Sequence, residues 1–311
     1  MLALICSGQG HQHSGMFKLA GGHLAAEPIF TMAARRLGVD PRDWVRDADP
    51  ESWRSNRFAQ LLCVTEALAI HRIIRAALPD RLIVMGYSVG QVAAWGVAGL
   101  LTEDATLSLV AQRAELMDQL GNGTDQMTSV RGLPWGRIAD LARYYGVELA
   151  IINPGEAYVL GGPNEAIETF LKAAAAAGAH RVCRLAVSVA SHTSRFAKAV
   201  PLLRGAIWAA APVSPRRGLT LLDGLKGTAP ITLEQHVDAL SRQIAETIDW
   251  AACLESAKEH GATAFLELGP GRALAEMVAS TFPNAAARSI EDFTTPGGLV
   301  HWLSAALQDG R

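Results

Sequence analysis

The chain has 311 residues, of which 50% are hydrophobic and 19% are charged, enough to bury a core in one large domain or two smaller ones. Its 28 basic and 30 acidic side chains give a net charge of -2, which argues against a nucleic-acid partner because phosphate-binding proteins usually carry a basic excess. The apolar start at residues 1–6 is too short for a signal peptide, and no window reaches the length of a membrane span. We therefore expect no membrane contact.

The cysteines share an apolar sequence context and lack the close spacing of metal ligands: Cys6, Cys63, Cys183 and Cys253. This pattern is typical of reduced core residues and indicates a cytoplasmic protein. His11 and His13 flank Gln12, but no thiol or carboxylate stands near them in the sequence. We therefore expect no bound metal.

Residues 2–6 predict a strand that runs directly into a glycine-rich loop beginning Ser7-Gly8-Gln9-Gly10. Backbone N–H groups in such a loop can approach a ligand. The loop lacks the Gly-Lys-Ser/Thr of a phosphate loop and the full spacing of a dinucleotide loop. An ordinary turn before a helix therefore stays open as the alternative to a binding loop.

Two segments then carry apolar residues at helical spacing, residues 24–37 and residues 60–77. Pro79-Asp80 ends the second helix, and the apolar run 82–85 predicts the next strand. Further on, Thr102 is placed to cap a helix that extends to about Leu120.

The strand at residues 82–85 breaks into Gly-Tyr-Ser-Val-Gly at residues 86–90 and continues as an apolar helix. Glycines without a Cβ atom let the backbone turn tightly enough to raise the Ser88 hydroxyl, with the following N–H groups facing it. The N-terminus of the helix favours negative charge at that point. The motif also occurs by chance as a tight turn, but its place between a strand and a helix favours a nucleophilic serine.

The pattern changes after the break at residues 121–124. The following segment predicts, in order, strand 127–133, helix 134–145, strand 147–152, strand 158–160, helix 163–177 and strand 181–185. The order β-α-β-β-α-β is the ferredoxin-like arrangement. We therefore predict a small domain at residues 124–187, inserted into a large α/β domain formed by residues 1–123 and 188–311.

His192 lies where the chain re-enters the large domain, a place where clefts commonly form. An isolated histidine is more often structural, but together with an elbow serine it becomes a candidate general base. Residues 233–258 predict a helix interrupted near Asp249-Trp250, and residues 264–268 predict a strand that turns into another helix at residues 269–272.

Five short motifs follow one another along the chain: Gly8-Gln9-Gly10, Gly-Tyr-Ser-Val-Gly at 86–90, Gln112-Arg113, Ser191-His192 and Leu-Gly-Pro-Gly at 268–271. In this order, with the inserted domain, the chain resembles the malonyl-CoA:acyl carrier protein transacylases over essentially its whole length. The resemblance implies a large α/β-hydrolase-like domain with an inserted ferredoxin-like domain. Within that family, the chain is most similar to the epsilon subunit of bacterial malonate decarboxylase. This similarity rests on the sequences Gly-Tyr-Ser-Val-Gly at 86–90 and Ala-Ala-Trp-Gly at 93–96, and on residues 249–255.

The resemblance also implies roles for particular residues. Ser88 is expected to be the acylated nucleophile and His192 its base. The backbone carbonyl of Gln243 is expected to orient the histidine, so no triad aspartate is needed. The backbone N–H groups of Gln9 and Val89 are expected to form the oxyanion hole.

Arg113 stands in the middle of a predicted helix, where periodicity alone favours a solvated surface position. The resemblance instead implies that Arg113 holds the free carboxylate of a malonyl group by a bidentate ion pair, which lysine cannot reproduce. It further implies malonyl-CoA as substrate, no permanently bound cofactor, and an acyl carrier protein as partner, in the decarboxylase setting together with other subunits of that complex.

Three residues differ from those usual at the matching positions of the family. Ser7 stands where proline is usual, and Tyr87 where histidine is usual. Gln91 stands where glutamate is usual, and we expect this one change to alter how the arginine is held. These departures argue against housekeeping fatty-acid synthesis, but malonyl transfer for fatty-acid or polyketide synthesis stays an alternative. A serine hydrolase or thioesterase and a catalytically idle scaffold subunit are further alternatives.

Overall fold

The structure is a computed structural model that describes residues 1–121, 123–187 and 189–308. Residue 122 of the predicted break, residue 188 at the predicted domain boundary, and residues 309–311 at the end of the predicted large domain lie outside the described residues.

Within these ranges, the chain alternates strands and helices for most of its length. The strands are β1 (Leu2–Cys6), β2 (Leu82–Gly86), β3 (Asp125–Arg131), β4 (Glu148–Asn153), β5 (Ala157–Pro163), β6 (Arg181–Arg184), β7 (Leu219–Leu221), β8 (Ile248–Asp249), β9 (Ala264–Leu268) and β10 (Ala286–Ser289). The helices are α1 (Glu27–Leu37), α2 (Pro41–Asp47), α3 (Asn56–Ile74), α4 (Gly90–Val97), α5 (Glu103–Leu120), α6 (Trp135–Tyr145), α7 (Asn164–Ala176), α8 (Ala199–Ala209), α9 (Leu233–Arg242), α10 (Trp250–Glu259), α11 (Ala273–Thr281) and α12 (Pro296–Gln308).

The large sheet is parallel and has the strand order β10-β9-β1-β2-β7. Every residue of β1, β2 and β9 is buried, as expected for strands covered by helices on both faces. Leu2 and Leu4 of β1 pack into one apolar cluster and Ala3 and Ile5 into another. Because the strands are parallel, the segments that follow β1, β2 and β9 all meet at the same edge of the sheet.

The second sheet has the order β6-β3-β5-β4, in which these strands are antiparallel, and α6 and α7 pack against it. This arrangement confirms the predicted fold class, an α/β protein with a ferredoxin-like unit. A short fifth strand, β8, adds parallel to β4 through the pair Ile151 and Ile248. The second sheet therefore includes a strand from outside residues 124–187, and the domain boundaries stay a prediction.

The predicted helix over residues 233–258 is interrupted for longer than expected. Helix α9 ends at Arg242, and α10 begins at Trp250, with β8 between them. The Thr247 hydroxyl donates to the Leu149 carbonyl at 2.8 Å, and the Asp249 side chain accepts from the Ala252 N–H at the start of α10. Contacts with a distant strand therefore override the local helical pattern here.

Other sequence predictions agree with the structure in type and nearly in bounds. Thr102 caps α5 by accepting from the Ala105 N–H, which confirms the predicted cap. Several elements were not predicted at all: α2, α8, β7, β10 and α12.

Candidate active site

The turn between β2 and α4 places Ser88 at its apex. Ser88 has a φ of 53°, the left-handed region that residues other than glycine rarely adopt. A Cβ atom on Gly86 would lie 2.1 Å from the Gly90 carbonyl, and one on Gly90 would lie 2.1 Å from the Cys6 oxygen. The two glycines are therefore required because backbone passes against backbone on both sides of the serine.

The Ser88 hydroxyl is hydrogen-bonded to the imidazole of His192. The distance from Ser88 Oγ to His192 Nε2 is 2.8 Å, and the other ring nitrogen, Nδ1, lies 2.5 Å from the Gln243 carbonyl oxygen. Because a carbonyl only accepts, Nδ1 carries the proton and Nε2 is the acceptor facing the serine. The structure thus brings Ser88, His192 and Gln243 together, and the partner of Nδ1 is a carbonyl rather than a carboxylate.

His192 is held rigidly and kept neutral. Its φ is 61°, and its backbone N–H donates to the Ile244 carbonyl at 2.9 Å. Burial, together with the positive charge of Arg113, lowers the pKa of His192 to about 3, although the Gln243 carbonyl opposes this change. A neutral imidazole can accept the serine proton at physiological pH.

Arg113 lies in α5 with only 2% of its surface exposed. The surface position favoured by periodicity is therefore wrong, because four helices, α1, α3, α4 and α8, pack against α5. Arg113 Nη1 donates to the Gln60 Oε1 atom at 2.5 Å, while the buried Nη2 atom has no hydrogen-bond partner. Burial lowers the pKa of Arg113 to about 10.

No carboxylate of the described residues forms an ion pair with Arg113. Burying a cation without an anion costs free energy, so such a group is typical of a site that binds an anionic ligand. The guanidinium is close enough to His192 to lower the pKa of that histidine. The guanidinium is therefore an unpaired positive charge near His192, the candidate base.

Gln91 does not hold the arginine. Its Oε1 atom accepts from the Gly86 N–H, and its Nε2 atom donates to the Leu222 carbonyl, both at 2.8 Å. The expectation that Gln91 alters how Arg113 is held is therefore wrong, because both ends of its side chain are occupied in bracing the elbow against the segment after β7.

The loop after β1 runs close to the elbow. A Cβ atom on Gly8 would lie 3.0 Å from the Tyr87 carbonyl oxygen. The backbone N–H groups of Gln9 and Val89 donate to no other group among the described residues. Both predicted donors are therefore available to an incoming oxygen.

A cavity of about 320 Å³ opens onto Ser88 and His192. Its walls come from the loop at residues 7–12, from α11, and from the small sheet, which contributes Met127, Ile151 and Val159. Arg113 is not among the described residues that line this cavity, although its partner Gln60 directly follows Ala59, which does line it. The cavity is lined mainly by apolar groups and lies between the two sheets.

The histidines at residues 11 and 13 have another setting. His13 Nε2 lies 2.7 Å from Glu291 Oε1. Within the described ranges, His, Cys, Asp and Glu side chains form no group of three or more arranged to hold a metal ion. In the same ranges, no helix is both long and apolar enough to cross a bilayer. All four cysteines are free thiols.

Sequence reasoning missed some residues that shape the site. Gln60 binds the arginine, and its signal was a polar residue within the apolar stripe of α3. Glu267 lines the cavity and binds the Ser7 hydroxyl, and its signal was a carboxylate in an otherwise apolar strand.

The chain as a whole is similar to a family profile and to several known proteins. The sequence profile of the acyl transferase domain matches residues 3–297. The malonyl CoA-acyl carrier protein transacylase of Haemophilus influenzae is 26% identical, with 97% of this chain and 98% of the relative covered.

Two solved structures are also similar. An acyl carrier protein S-malonyltransferase from Vibrio cholerae has a TM-score of 0.85 and 25% identity, covering 93% of this chain and 96% of that one. A malonyl-transacylase in complex with its type II PKS acyl-carrier protein has a TM-score of 0.88 and 26% identity, with 99% of each chain covered. Since the domain profile spans nearly the whole sequence, the chain belongs to the acyl transferase domain family.

Proposed function

We propose that this acyltransferase moves a malonyl group from malonyl-CoA, through an ester on Ser88, to the thiol of an acyl carrier protein. The observation that carries the proposal is the buried, unpaired guanidinium of Arg113 beside the Ser88–His192 pair. Malonyl transfer is also the activity named for the similar proteins from Haemophilus influenzae and Vibrio cholerae.

In the first half-reaction, Ser88 Oγ attacks the thioester carbon while His192 Nε2 takes the hydroxyl proton. The carbon–sulfur bond then breaks, and the coenzyme A thiolate leaves with the proton from His192. The Gln243 carbonyl stabilises the imidazolium by accepting from Nδ1, the part that a carboxylate plays in other triads. In the second half-reaction, the carrier thiol repeats these steps and releases Ser88.

Each half-reaction passes through a tetrahedral oxyanion. The free N–H groups of Gln9 and Val89 are the donors available to it. Losing one such donor costs on the order of 100-fold to 1000-fold in turnover in well-studied hydrolases. The placement of the loop at residues 7–10 therefore matters as much as the reactive side chains.

Arg113 selects a substrate with a free carboxylate. A carboxylate that reaches Nη2 would complete the hydrogen bonding of the guanidinium and neutralise its charge. Because that charge is one cause of the low pKa of His192, its neutralisation would make the imidazole a stronger base. Acyl groups without a carboxylate gain neither effect.

The acceptor is the finer part of the proposal. On the resemblance of residues 86–96 and 249–255, we assign the carrier subunit of malonate decarboxylase, with fatty-acid or polyketide carriers as the alternative. The similarity to a transacylase solved with a type II PKS carrier protein supports a carrier protein as acceptor in either setting. The location we propose is the cytoplasm, in keeping with four free thiols.

The central test is acyl-enzyme formation followed by intact mass. Malonyl-CoA should add one malonyl group, Ser88→Ala should abolish the adduct, and acetyl-CoA should react far more slowly. Ser256→Ala is the matched control, because it also removes a hydrogen-bonded hydroxyl but lies in α10, outside the cavity. Equal adduct yields from malonyl-CoA and acetyl-CoA would contradict the role given to Arg113.

The remaining alternatives give different results in the same assay. Rapid loss of the acyl group in water, with no thiol present, would favour a hydrolase or thioesterase. A complete absence of labelling would favour a scaffold subunit.

The acceptor is tested by competition. The decarboxylase carrier subunit and the fatty-acid carrier protein are mixed in equal amounts with the malonyl-enzyme. The two malonylated carriers are then quantified by intact mass spectrometry. We expect the decarboxylase carrier to be charged faster. Faster charging of the fatty-acid carrier would replace the finer assignment without affecting malonyl transfer itself.

A further inference from the structure

The loop at residues 7–10 has no regular secondary structure, so side chains from other elements hold it in place. Gln12 accepts from the Gly10 N–H at 2.8 Å, and the Cys63 thiol lies 3.4 Å from the Gly8 carbonyl oxygen. These contacts hold the middle and the end of the loop and carry no charge.

The start of the loop is held by an ionisable group. The Ser7 hydroxyl donates to Glu267 Oε1 at 2.8 Å, and Glu267 Oε2 accepts from the Ala275 N–H at 2.8 Å. Glu267 is 1% exposed and Ser7 is 4% exposed. Glu267 therefore bridges the loop to the first turn of α11 from inside the protein.

Glu267 is also part of the active-site cavity, whose walls include the loop and Ser88. It is the next-to-last residue of β9 and pairs in register with Ile5 of β1, the strand that leads into the loop. A movement of the Glu267 carboxylate would therefore reach the Gln9 N–H through only two intervening residues, Ser7 and Gly8.

Other carboxyl groups face Glu267 from the elements packed around it. Glu66 of α3 is 1% exposed, and neither of its oxygens has a hydrogen-bond partner in the described part of the chain. Glu291 is hydrogen-bonded to His13 and accepts from the Gly271 N–H. Burial is the main cause that raises the pKa of Glu267 to about 7, and the Glu291 charge adds to it. Burial also raises the pKa of Glu66, together with the charges of Glu291 and Glu267.

We propose that Glu267 is a positioning residue which, through the Ser7 hydroxyl, holds the Gln9 N–H in the geometry needed for acyl transfer, so that its protonation slows the reaction. The inference rests on the proposed function, since it assigns a supporting group to the proposed oxyanion hole. It differs from the roles of Ser88 and His192 because Glu267 acts only through the loop.

The direction of the pH effect follows from the hydrogen bond. An ionised carboxylate accepts a stronger hydrogen bond from the Ser7 hydroxyl than a neutral carboxyl does. As pH falls through about 7, Glu267 gains a proton, the hold on Ser7 weakens, and the loop moves more freely. His192 stays neutral over this range because its pKa is about 3.

The first experiment measures the loop directly, without any substrate. Amide hydrogen exchange is followed by mass spectrometry on peptides that cover residues 5–12 in Ser7→Ala and Glu267→Gln at pH 8. We expect exchange of the bonded Ser7 and Gly10 amides to be about tenfold faster in both variants. Ser256→Ala should leave these peptides unchanged.

The second experiment measures reactivity against pH. The rate of Ser88 labelling by a fluorophosphonate, which needs no malonyl recognition, is followed from pH 5.5 to 8.5. The unsubstituted protein should react about tenfold faster at the upper end, with a midpoint near pH 7, whereas Glu267→Gln and Ser7→Ala should be slow and nearly flat. With malonyl-CoA as substrate, both variants should have a lower acylation rate constant than the unsubstituted protein, while the half-saturating concentration of malonyl-CoA stays unchanged.

The outcomes separate this inference from the proposed function. A pH step that persists in Glu267→Gln, or unchanged exchange in Ser7→Ala, would overturn the inference even if malonyl transfer is intact. Faster exchange with no loss of labelling would also overturn it, since the loop would then not govern reactivity. If the unsubstituted protein is not labelled at all, the proposed function fails, and unchanged exchange would still reject the hold of Glu267 on the loop.

Discussion

The two sheets of the molecule differ in what they contribute to the site. The parallel sheet is buried throughout its central strands, and the segments after β1, β2 and β9 supply Gln9, Ser88 and the turn beside Glu267. The antiparallel sheet has partly exposed strands and supplies apolar cavity wall such as Val159. The edge of the parallel sheet thus supplies the nucleophile and the proposed oxyanion donors, and the second sheet supplies apolar wall of the cavity.

The reason for this difference is steric. At the edge of the parallel sheet, the elbow is fixed by backbone packed against backbone, Gly86 against Gly90 within the turn and Gly90 against Cys6 of β1, and no side-chain motion can relieve these contacts. In the small sheet, the cavity wall consists of side chains that can repack around a loss of volume. Changes in the first region should therefore have large effects, and changes in the second should have small ones.

The largest effect is expected for Gly86→Ala. The new Cβ atom would lie 2.1 Å from the Gly90 carbonyl carbon, so β2 and α4 cannot keep their positions. We expect a loss of more than about 4 kcal/mol in the free energy of unfolding, measured by urea denaturation.

Gly136→Ala in α6 of the small unit is the matched control. Nothing lies within 4 Å of a Cβ atom at that position, so the substitution should be neutral or slightly stabilising. Similar destabilisation in both variants would contradict the difference between the two regions.

Arg113→Met should separate stability from activity. Replacing an unpaired buried cation by an apolar side chain should stabilise the free protein by about 1–4 kcal/mol. Malonyl-CoA acylation should fall about 100-fold or more, whereas acetyl-CoA acylation should not fall, because removal of the charge leaves His192 a stronger base. Arg72→Met, the matched control, breaks a partly exposed ion pair with Glu103. It should change the free energy of unfolding by less than about 1 kcal/mol and leave malonyl-CoA acylation nearly unchanged.

His192→Asn should alter how stability depends on pH. Because the pKa of His192 is about 3 in the folded protein and 6.5 is its ordinary value, only the unfolded chain gains a proton as pH falls below 6.5. Folded His192 thus costs stability in acid, by about 2 kcal/mol at pH 5. Denaturation at pH 5 and pH 8 should show this loss in the unsubstituted protein relative to the variant; parallel changes in both would refute it.

The smallest effect is expected for Val159→Ala in the cavity wall. The side chain is buried and borders the cavity, so its truncation enlarges existing space. We expect a loss of about 1–2 kcal/mol in stability and a change of less than about threefold in the acylation rate constant. Val130→Ala, in the core of the small unit, should cost similar stability without any kinetic change. A 100-fold loss of acylation in Val159→Ala would place chemistry on the second sheet.

Much of the fold was predictable because its signals are local. Thr102 begins a helix through its own side chain, and the runs at residues 2–6 and 82–86 form strands since continuous apolar stretches suit a sheet covered on both faces. Strand β8 was not predictable, because its two residues pair with β4, about a hundred residues away.

The sequence alone determined the residue types that the chemistry needs and the sharp turn that presents Ser88, because both depend on neighbours in the chain. Family resemblance then indicated roles for His192, Gln243 and Arg113. Only the tertiary structure decided that Arg113 is buried without an anion, that Gln91 braces the elbow, and that Glu267 reaches Ser7. These facts depend on which helices and strands pack together, and periodicity within one helix cannot show whether a second helix covers its polar face.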